Sequence, residues 1–226
     1  MNNNHSSFIN SKRRFNDIAK DLHASFPKQA DLILHTSLKK ADACQIEALI
    51  ADIQPKSILE IGSFCGISTR WLSSCSPTMN ITCVDPWISD GTIDSEAIFD
   101  HINAIPNTRI KKIKAYFGSR NNQSFSVPTK SGEDTKAFAY EHQLPLYFPK
   151  QYFDLVFIDG DHRTSSSINA FMLTKEVSEN IIYHDANLRT HQNAMEIIEQ
   201  EWSGEWAINR FPNGEDGLAH LTKLKT

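Results

Sequence analysis

Three short stretches of this 226-residue chain set chemically able side chains directly after apolar runs. Glu60-Ile61-Gly62-Ser63-Phe64-Cys65-Gly66-Ile67-Ser68 begins at the end of the run Ile58-Leu59, Asp159-Gly160-Asp161-His162 follows Phe153 to Ile158, and His184-Asp185 follows Asn180 to Tyr183. Gly62 and Gly66 allow a tight turn and a close approach of a ligand to the backbone, and the next helix begins with free N–H groups. A dinucleotide loop would carry glycine at positions 62, 64 and 67. Phe64 and Ile67 stand at two of these, which counts against NAD. Glu60 instead suits a cationic ligand end, with Ser68 and the loop N–H groups, Ser63 among them, left for a carboxylate. Asp85 closes the apolar run Asn80 to Val84, where an acid can accept both hydroxyls of a ribose. Before Pro86 it is equally a turn former. Trp87 either stacks on an adenine or covers the sheet.

The other two stretches bring acids and imidazoles together if their strands are neighbours. Asp159, His184 and Asp185 then form a set of two carboxylates and one imidazole, which suits a divalent cation such as Mg²⁺, Mn²⁺ or Ca²⁺. Two acids so placed repel, and one takes up a proton unless a cation sits between them. The alternative is that Asp185 caps the following segment while Asp159 holds the amine of a cofactor. His162 is the first candidate for a general base, because an imidazole titrates near neutrality. Its alternative is a surface histidine beside an Asp161 helix cap. Lys39 and Lys40 are weaker candidates for a substrate wall.

The elements that must position these residues are read from apolar periodicity. Helical spacing runs over Phe8 to Phe26 and Ala41 to Ile53, stopped by Gln54-Pro55. Strands are expected at Ser57 to Ile61, Asn80 to Val84, Arg109 to Phe117, Phe153 to Ile158 and Asn180 to Tyr183. Helices are expected at Thr69 to Ser74, Ser95 to Ala104, Thr164 to Val177 and His191 to Trp202. Trp206 to Phe211 and Leu218 to Leu224, around Pro212-Asn213-Gly214, read as an antiparallel hairpin. Alternating strands and helices followed by a hairpin predict an α/β fold: a Rossmann-like, seven-stranded, mostly parallel sheet with helices on both faces. Ligands in such sheets sit beyond the carboxyl ends of the strands. The stretch Gly118 to Gln151 breaks the rhythm, with Pro128, Pro145 and Pro149 and a helical fragment at Thr135 to His142. A segment of this length is expected to be functional, as a lid over the site.

Composition sets the outer bounds. With 40% hydrophobic and 22% charged residues the chain is an ordinary globular one, which excludes disordered and fibrous classes. A net charge of -4 gives no broad cationic field, and Arg109, Lys111, Lys112, Lys114 and Arg120 read as the basic side of a strand, so no nucleic-acid partner is expected. No apolar run approaches a membrane span, and no h-region follows Lys12, Arg13 and Arg14. The four cysteines show neither metal spacing nor the density of a disulfide scaffold. No membrane partner and a cytoplasmic location follow as expectations, and the state of assembly is left open to a homo-oligomer.

Over Ala41 to Asp185 these motifs resemble the small class I O-methyltransferases of the catechol, caffeoyl-CoA and macrocin types. ILEIGSFCGIST is similar to that family's first motif, and FDLVFIDGDH and IIYHDA to its fourth- and fifth-strand motifs. The resemblance implies S-adenosylmethionine as cofactor, held by Glu60, Gly62, Ser63, Gly66, Ser68, Asp85 and Trp87. Gly118-Ser119 is similar to its adenine-contacting segment, and Asp159 also falls on a cofactor position. It implies a divalent metal on Asp159, His184 and Asp185, though many members carry Asp-Asp or Asp-Asn where this chain has His184-Asp185. The implied reaction is direct transfer of a methyl group to a hydroxyl of a small-molecule acceptor, with Asp159 and His162 as catalytic residues. Residues 1–40 then form an N-terminal helical cap and 41–226 the methyltransferase domain, with an insertion at about 118–151. Two rivals remain. Amino-methylating relatives carry an Asn/Asp-Pro-Pro-aromatic motif where this chain has Asp159-Gly160-Asp161-His162, and a non-methylating hydroxylase-type or cofactor-binding relative would share the rest.

Overall fold

The computed structural model describes residues 3–76, 78–87, 92–105, 109–115, 117, 123–127, 135–139 and 152–225. Its elements are α1 (Asn3–Ser25), α2 (Ala30–His35), α3 (Lys40–Ile53), β1 (Ser57–Ile61), α4 (Ile67–Cys75), β2 (Asn80–Asp85), α5 (Ser95–Ile102), β3 (Arg109–Lys114), β4 (Gln123–Val127) and β5 (Thr135–Ala139). They continue with β6 (Leu155–Ile158), α6 (Thr164–Thr174), β7 (Asn180–Tyr183), α7 (Arg189–Trp202), β8 (Trp206–Phe211) and β9 (Leu218–Lys223).

Seven strands form one sheet in the order β3-β2-β1-β6-β7-β9-β8. The first five run parallel, and β9 is antiparallel to both of its neighbours, so the expected mixed sheet with its terminal hairpin is present. Strands buried on both faces read as unbroken apolar runs, and β6 and β7 are of this kind. Successive residues then point to opposite cores. Ile58, Cys83 and Phe157 pack with Phe15, Ile46, Trp71 and Phe99 from the first five helices. Leu59, Val84 and Ile158 pack with Phe171, Met195 and Ile198 from α6 and α7. The chain builds outward from β1 to β3 and then returns to lay β6 beside β1. The ligand crevice of such a sheet opens where that order reverses, at the carboxyl ends of β1 and β6.

The N-terminal helices lock onto the first core. Phe15, Ile18 and Leu22 of α1 are buried, and the Arg14 guanidinium lies 4.9 Å over the Trp71 ring. Arg14 also pairs with Glu47 and donates to the Ser74 carbonyl at 2.7 Å. On edge strand β3 the basic run is partly neutralised: Lys112 pairs with Glu96 and Asp100, and Lys114 with Glu96. No helix among the described residues is long and apolar enough to cross a membrane.

Three local expectations change. The segment expected to be helical at Thr135 to His142 instead gives strand β5, paired antiparallel with β4 in a separate two-stranded sheet. A helix that short forms few internal hydrogen bonds for the dihedrals it fixes, whereas a partner strand satisfies the backbone at once. The third strand ends at Lys114 rather than Phe117, and α2 is a helix that the periodicity does not announce. Apart from β4 and β5, the 118–151 stretch lies outside the described residues, and with it the expected lid.

Phe171 is fully buried and meets Trp202 and Trp206 edge-on at centroid distances of 5.3 and 5.4 Å. Phe171→Ala is expected to cost about 3–5 kcal/mol of stability, the range for truncating a core aromatic. Urea denaturation checks it, and an unchanged midpoint would contradict the packing described for this face.

Candidate active site

The loop after β1 is built on two left-handed glycines. Gly62 has φ +83°, and a Cβ on it would lie 2.6 Å from the Asp159 carbonyl carbon and the Gly160 Cα. Any side chain there would separate the ends of β1 and β6. Gly66 has φ +82° and stands at the N-cap of α4, where a Cβ would run into Asn103 and Phe99. Between them Phe64 takes φ +44°, and Trp87 and Asp185 take +42° and +56°. Left-handed backbone at a non-glycine residue is strained and collects at functional sites. Three such residues stand at the ends of β1, β2 and β7.

Asp85 organises the first half of the site. Its Oδ2 accepts the Phe64 N–H at 2.9 Å and its Oδ1 accepts the Trp87 N–H at 2.6 Å. Trp87 is 4% exposed, donates its indole N–H to the Phe64 carbonyl at 2.9 Å and meets Phe99 edge-on at 5.1 Å. Of its two readings, covering the sheet is the one these contacts match. A cavity of about 380 Å³ lies beside Asp85, walled by Phe64, Val84, Phe117, Ile158, Arg163 and Ser166 among others.

Glu60 is buried completely and lines neither this cavity nor its neighbour. Its Oε2 accepts hydrogen bonds from Ser63 at 2.8 Å, from Thr69, and from the Cys83 thiol at 3.3 Å, and its Oε1 has no partner. Burial pushes its carboxyl above the ordinary range, and the hydroxyl donors only partly offset that. Glu60 thus holds the loop from beneath, rather than facing a ligand ammonium.

A second cavity of about 530 Å³ adjoins the first, sharing Gly62, Phe64, Asp159 and Gly160. Ser63, Ser68, Lys39, His162, His184, Asp185 and Asp216 line it. The ends of β6 and β7 bring Asp159, His184 and Asp185 together, because the Asp159 N–H continues the ladder to the Ile61 carbonyl and the His184 N–H to the Ile158 carbonyl. His184 is 3% exposed at its side chain and donates from Nδ1 to Asp159 Oδ1 at 2.8 Å, with Asp185 Oδ2 at 3.6 Å. On its far side Nε2 faces Asp42 Oδ2 at 3.7 Å and Asp216 Oδ2 at 4.0 Å. Burial alone would push this imidazole down, but Asp159, Asp42 and Asp185 hold it protonated up to about 11.

His162 is half-exposed, and its Nε2 stands 2.9 Å from Asp185 Oδ2. That contact raises the His162 pKa against the opposing effect of burial. Burial would raise the Asp185 carboxyl, but His162 and His184 hold it below its usual value. Asp159, His162 and Asp185 each offer a ligand atom, all within 4.8 Å of one another. His162 thus meets the two acids from the solvent side, while the His184 ring stands among Asp42, Asp159, Asp185 and Asp216. His191, buried at the start of α7, donates from Nδ1 to the carbonyls of His184 and Asp185 at 3.0 Å each and pins the strained turn. Asp161 turns away to Arg163, which binds it through Nε at 2.9 and 2.8 Å, and to Ser166 at 3.0 Å. Ser119 lies outside the described residues. Lys39 lines the second cavity, and Lys40 donates instead to Asn16 at 2.8 Å.

Periodicity gave no sign of Asp42, Asp216 and His191, since each acts through a partner far along the chain. Arg163 and Ser166 sit just past a recognised motif, and only their nearness to it could have drawn notice.

A switch-point crevice of this kind, with acids at the ends of the second, fourth and fifth parallel strands, is where an open α/β sheet binds its ligand. Residues 59–185 match the methyltransferase domain family, and the chain belongs to it. No curated protein matches the sequence. Among solved structures, the O-methyltransferase of Bacillus cereus in complex with SAH is similar at 16% identity, with a TM-score of 0.59 over 94% of this chain and 91% of that one. The O-methyltransferase TomG of Streptomyces achromogenes, involved in tomaymycin synthesis and solved with SAM, is 12% identical, with a TM-score of 0.56 over 94% of this chain and 90% of that one. A SAH-bound methyltransferase of Podospora anserina is 14% identical, with a TM-score of 0.57 over 94% and 88%. At these identities the likeness is one of fold, that of the class I S-adenosylmethionine-dependent methyltransferases.

Glu60 carries a pH prediction. An acid whose pKa is raised on folding binds a proton more tightly in the folded state, so stability is greatest at low pH and falls as pH rises above the ordinary carboxylate range. Glu60→Gln, whose amide oxygen can accept the same donors, is expected to lose this fall. Urea denaturation at pH 5 and pH 8 should show the variant gaining on the wild type as pH rises, and a constant difference would refute the assignment.

Proposed function

We propose that the protein transfers a methyl group from S-adenosylmethionine to a hydroxyl of a small polar molecule, with a divalent cation held at Asp159 and Asp185. The pair of adjoining cavities carries this reading: one runs to Asp85, the other is ringed by Asp159, His162 and Asp185, and Gly62 stands between them. Each Asp85 oxygen accepts one backbone N–H and keeps a lone pair, so ribose hydroxyls can still be bound. Phe64, Val84, Phe117 and Ile158 supply apolar walls for a base. Ser63, Ser68 and the loop N–H groups offer donors to a carboxylate in the second cavity.

The two carboxylates, with water in the remaining positions, fit a hard divalent cation such as Mg²⁺ or Mn²⁺. When bound, such an ion lowers the pKa of a coordinated hydroxyl. The chain's own residues then orient the acceptor at Asp159 and Asp185 and exclude water with Leu38, Phe64 and Ile67. His162 donates from Nε2 to Asp185, which leaves Nδ1 free to take the hydroxyl proton. That same contact favours a second reading, in which the Asp185–His162 pair acts as the base with no ion present. The sequence Asp159-Gly160-Asp161-His162 speaks against an amine acceptor, because it lacks a motif to hold one.

Two experiments test these readings. Calorimetry with adenosylhomocysteine should give a one-site isotherm, and Asp85→Ala should weaken it by about 1.5–3 kcal/mol, the worth of hydrogen bonds to a charged group. Binding of NAD with none of adenosylhomocysteine would refute the cofactor. The second follows transfer of a radiolabelled methyl group to a panel of sugars and catechols. Activity should vanish on exhaustive chelation, return with one divalent ion, and fall about 100-fold or more in Asp185→Asn. Full activity after chelation removes the ion and leaves the His162–Asp185 base. Label on an amine, or no transfer at all, overturns hydroxyl methylation in favour of the amino-methylating or hydroxylase-type rivals.

A further inference from the structure

Asp42 lies in the first turn of α3 and lines neither cavity, yet its side chain is 0% exposed. Burying a carboxylate is strongly unfavourable unless it is paired. Part of the pairing is plain: Oδ2 accepts the Asp216 N–H at 3.1 Å and Oδ1 the Gly217 N–H at 3.2 Å. The loop between β8 and β9 is cut to fit, since a Cβ on Gly214 would lie 2.8 Å from the Asp42 Cγ. A neutral side chain with an acceptor oxygen could serve those N–H groups almost as well. A full negative charge is needed only on the other side, where His184 Nε2 stands 3.7 Å away, buried and without a hydrogen-bond partner.

His184 is thus strung between two carboxylates, Asp42 behind it and Asp159 in the site at 2.8 Å. Asp185 at 3.6 Å and Asp216 at 4.0 Å flank the ring, and Phe157 lies against it at a centroid distance of 6.3 Å. We propose that Asp42 is a positioning residue, acting through His184 to hold the Asp159 carboxylate in one orientation, with Oδ1 drawn back into the protein and Oδ2 left for the site. The role of Asp159 in binding a cation rests on the reading under Proposed function. The hold of Asp42 on His184 does not. Outer partners of a metal-binding carboxylate fix its orientation and tune the site in this way. A purely structural role, pinning α3 to the β8–β9 loop, makes different demands on the Asp42 charge.

The test is Asp42→Asn, which keeps an oxygen for the loop and removes the charge facing His184. The first readout is the His184 Hδ1 proton resonance of the free protein, assigned by its loss in His184→Gln. It should lie far downfield and exchange slowly in the wild type, and move upfield or broaden in Asp42→Asn while adenosylhomocysteine still binds. The second is Mn²⁺ titration followed by electron paramagnetic resonance, where Asp42→Asn should bind about 10–100-fold more weakly, as for loss of an outer partner of a ligand. If the wild type binds no Mn²⁺, the cation reading fails, and the resonance alone decides the role of Asp42. An unchanged His184 resonance in folded Asp42→Asn overturns the proposal. Asp42→Ser, also uncharged, replaces it if the asparagine variant does not fold. If neither folds, Asp42 is a structural staple and the proposal falls.

Discussion

At the carboxyl end of the sheet the main-chain ladder runs on past the strands into the site. The Gly62 N–H donates to the Val84 carbonyl at 3.0 Å, the Asp159 N–H to the Ile61 carbonyl at 2.8 Å, and the His184 N–H to the Ile158 carbonyl at 3.0 Å. Each bond ties the first residue after one strand to the last or next-to-last of its neighbour, so Gly62, Asp159 and His184 are placed with the accuracy of the sheet itself. The ladder tolerates nothing between β1 and β6 at this level, which is why residue 62 carries no side chain. The two cavities are what remains on either side of that contact. Fold and site are therefore one structure, and a change of strand register would move every chemical group at once.

The electrostatics follow from the same crowding. Asp159 and Asp185 stand at the ends of adjacent strands, and a pair of acids so close needs positive charge beside it. A ring that the backbone already fixes supplies some of that charge: His184 is held protonated among Asp42, Asp159 and Asp185. His162 comes in from the solvent side on Asp185. The site is thus partly neutralised before any ligand arrives, which limits how tightly an added cation would be held. The strained turns at Phe64, Trp87 and Asp185 persist because hydrogen bonds over-determine them: the Phe64 and Trp87 N–H groups donate to Asp85, and His191 donates to the Asp185 carbonyl.

Much of this was legible in the chain as a string. The buried parallel strands β1, β6 and β7 announce themselves as apolar runs closed by a glycine, an acid and a histidine in turn, and those closures are the site. The topology follows from the alternation of strand and helix. Legibility fails where the deciding contact is distant or has no period. Six residues of α2 are too few to establish a helical repeat. Thr135 to Ala139 has helix-tolerant composition and became a strand because β4 offered a partner. Asp42 stands in a helix among Lys39, Lys40 and Glu47, where a polar residue reads as solvated surface. Its burial depends on a loop near the other end of the chain. The letters also cannot tell which nitrogen of His184 faces which acid, and so whether the ring serves as ligand or as counter-charge. Glu60 is a related case: its position in the motif is plain, but only packing shows that it points beneath the loop.

The bonds from Asp216 and Gly217 to Asp42 close over separations of 174 and 175 residues. During synthesis the ribosome delivers α3 and β1 long before the β8–β9 turn exists. Until that turn emerges, Asp42 has no backbone donors, and β7, lacking β9, is an open edge. A nascent chain stopped short of β9 could fold much of the parallel sheet and would still present an unfinished centre. The β8–β9 hairpin therefore acts as the clasp of the molecule, and activity should appear only once it has been made rather than by degrees.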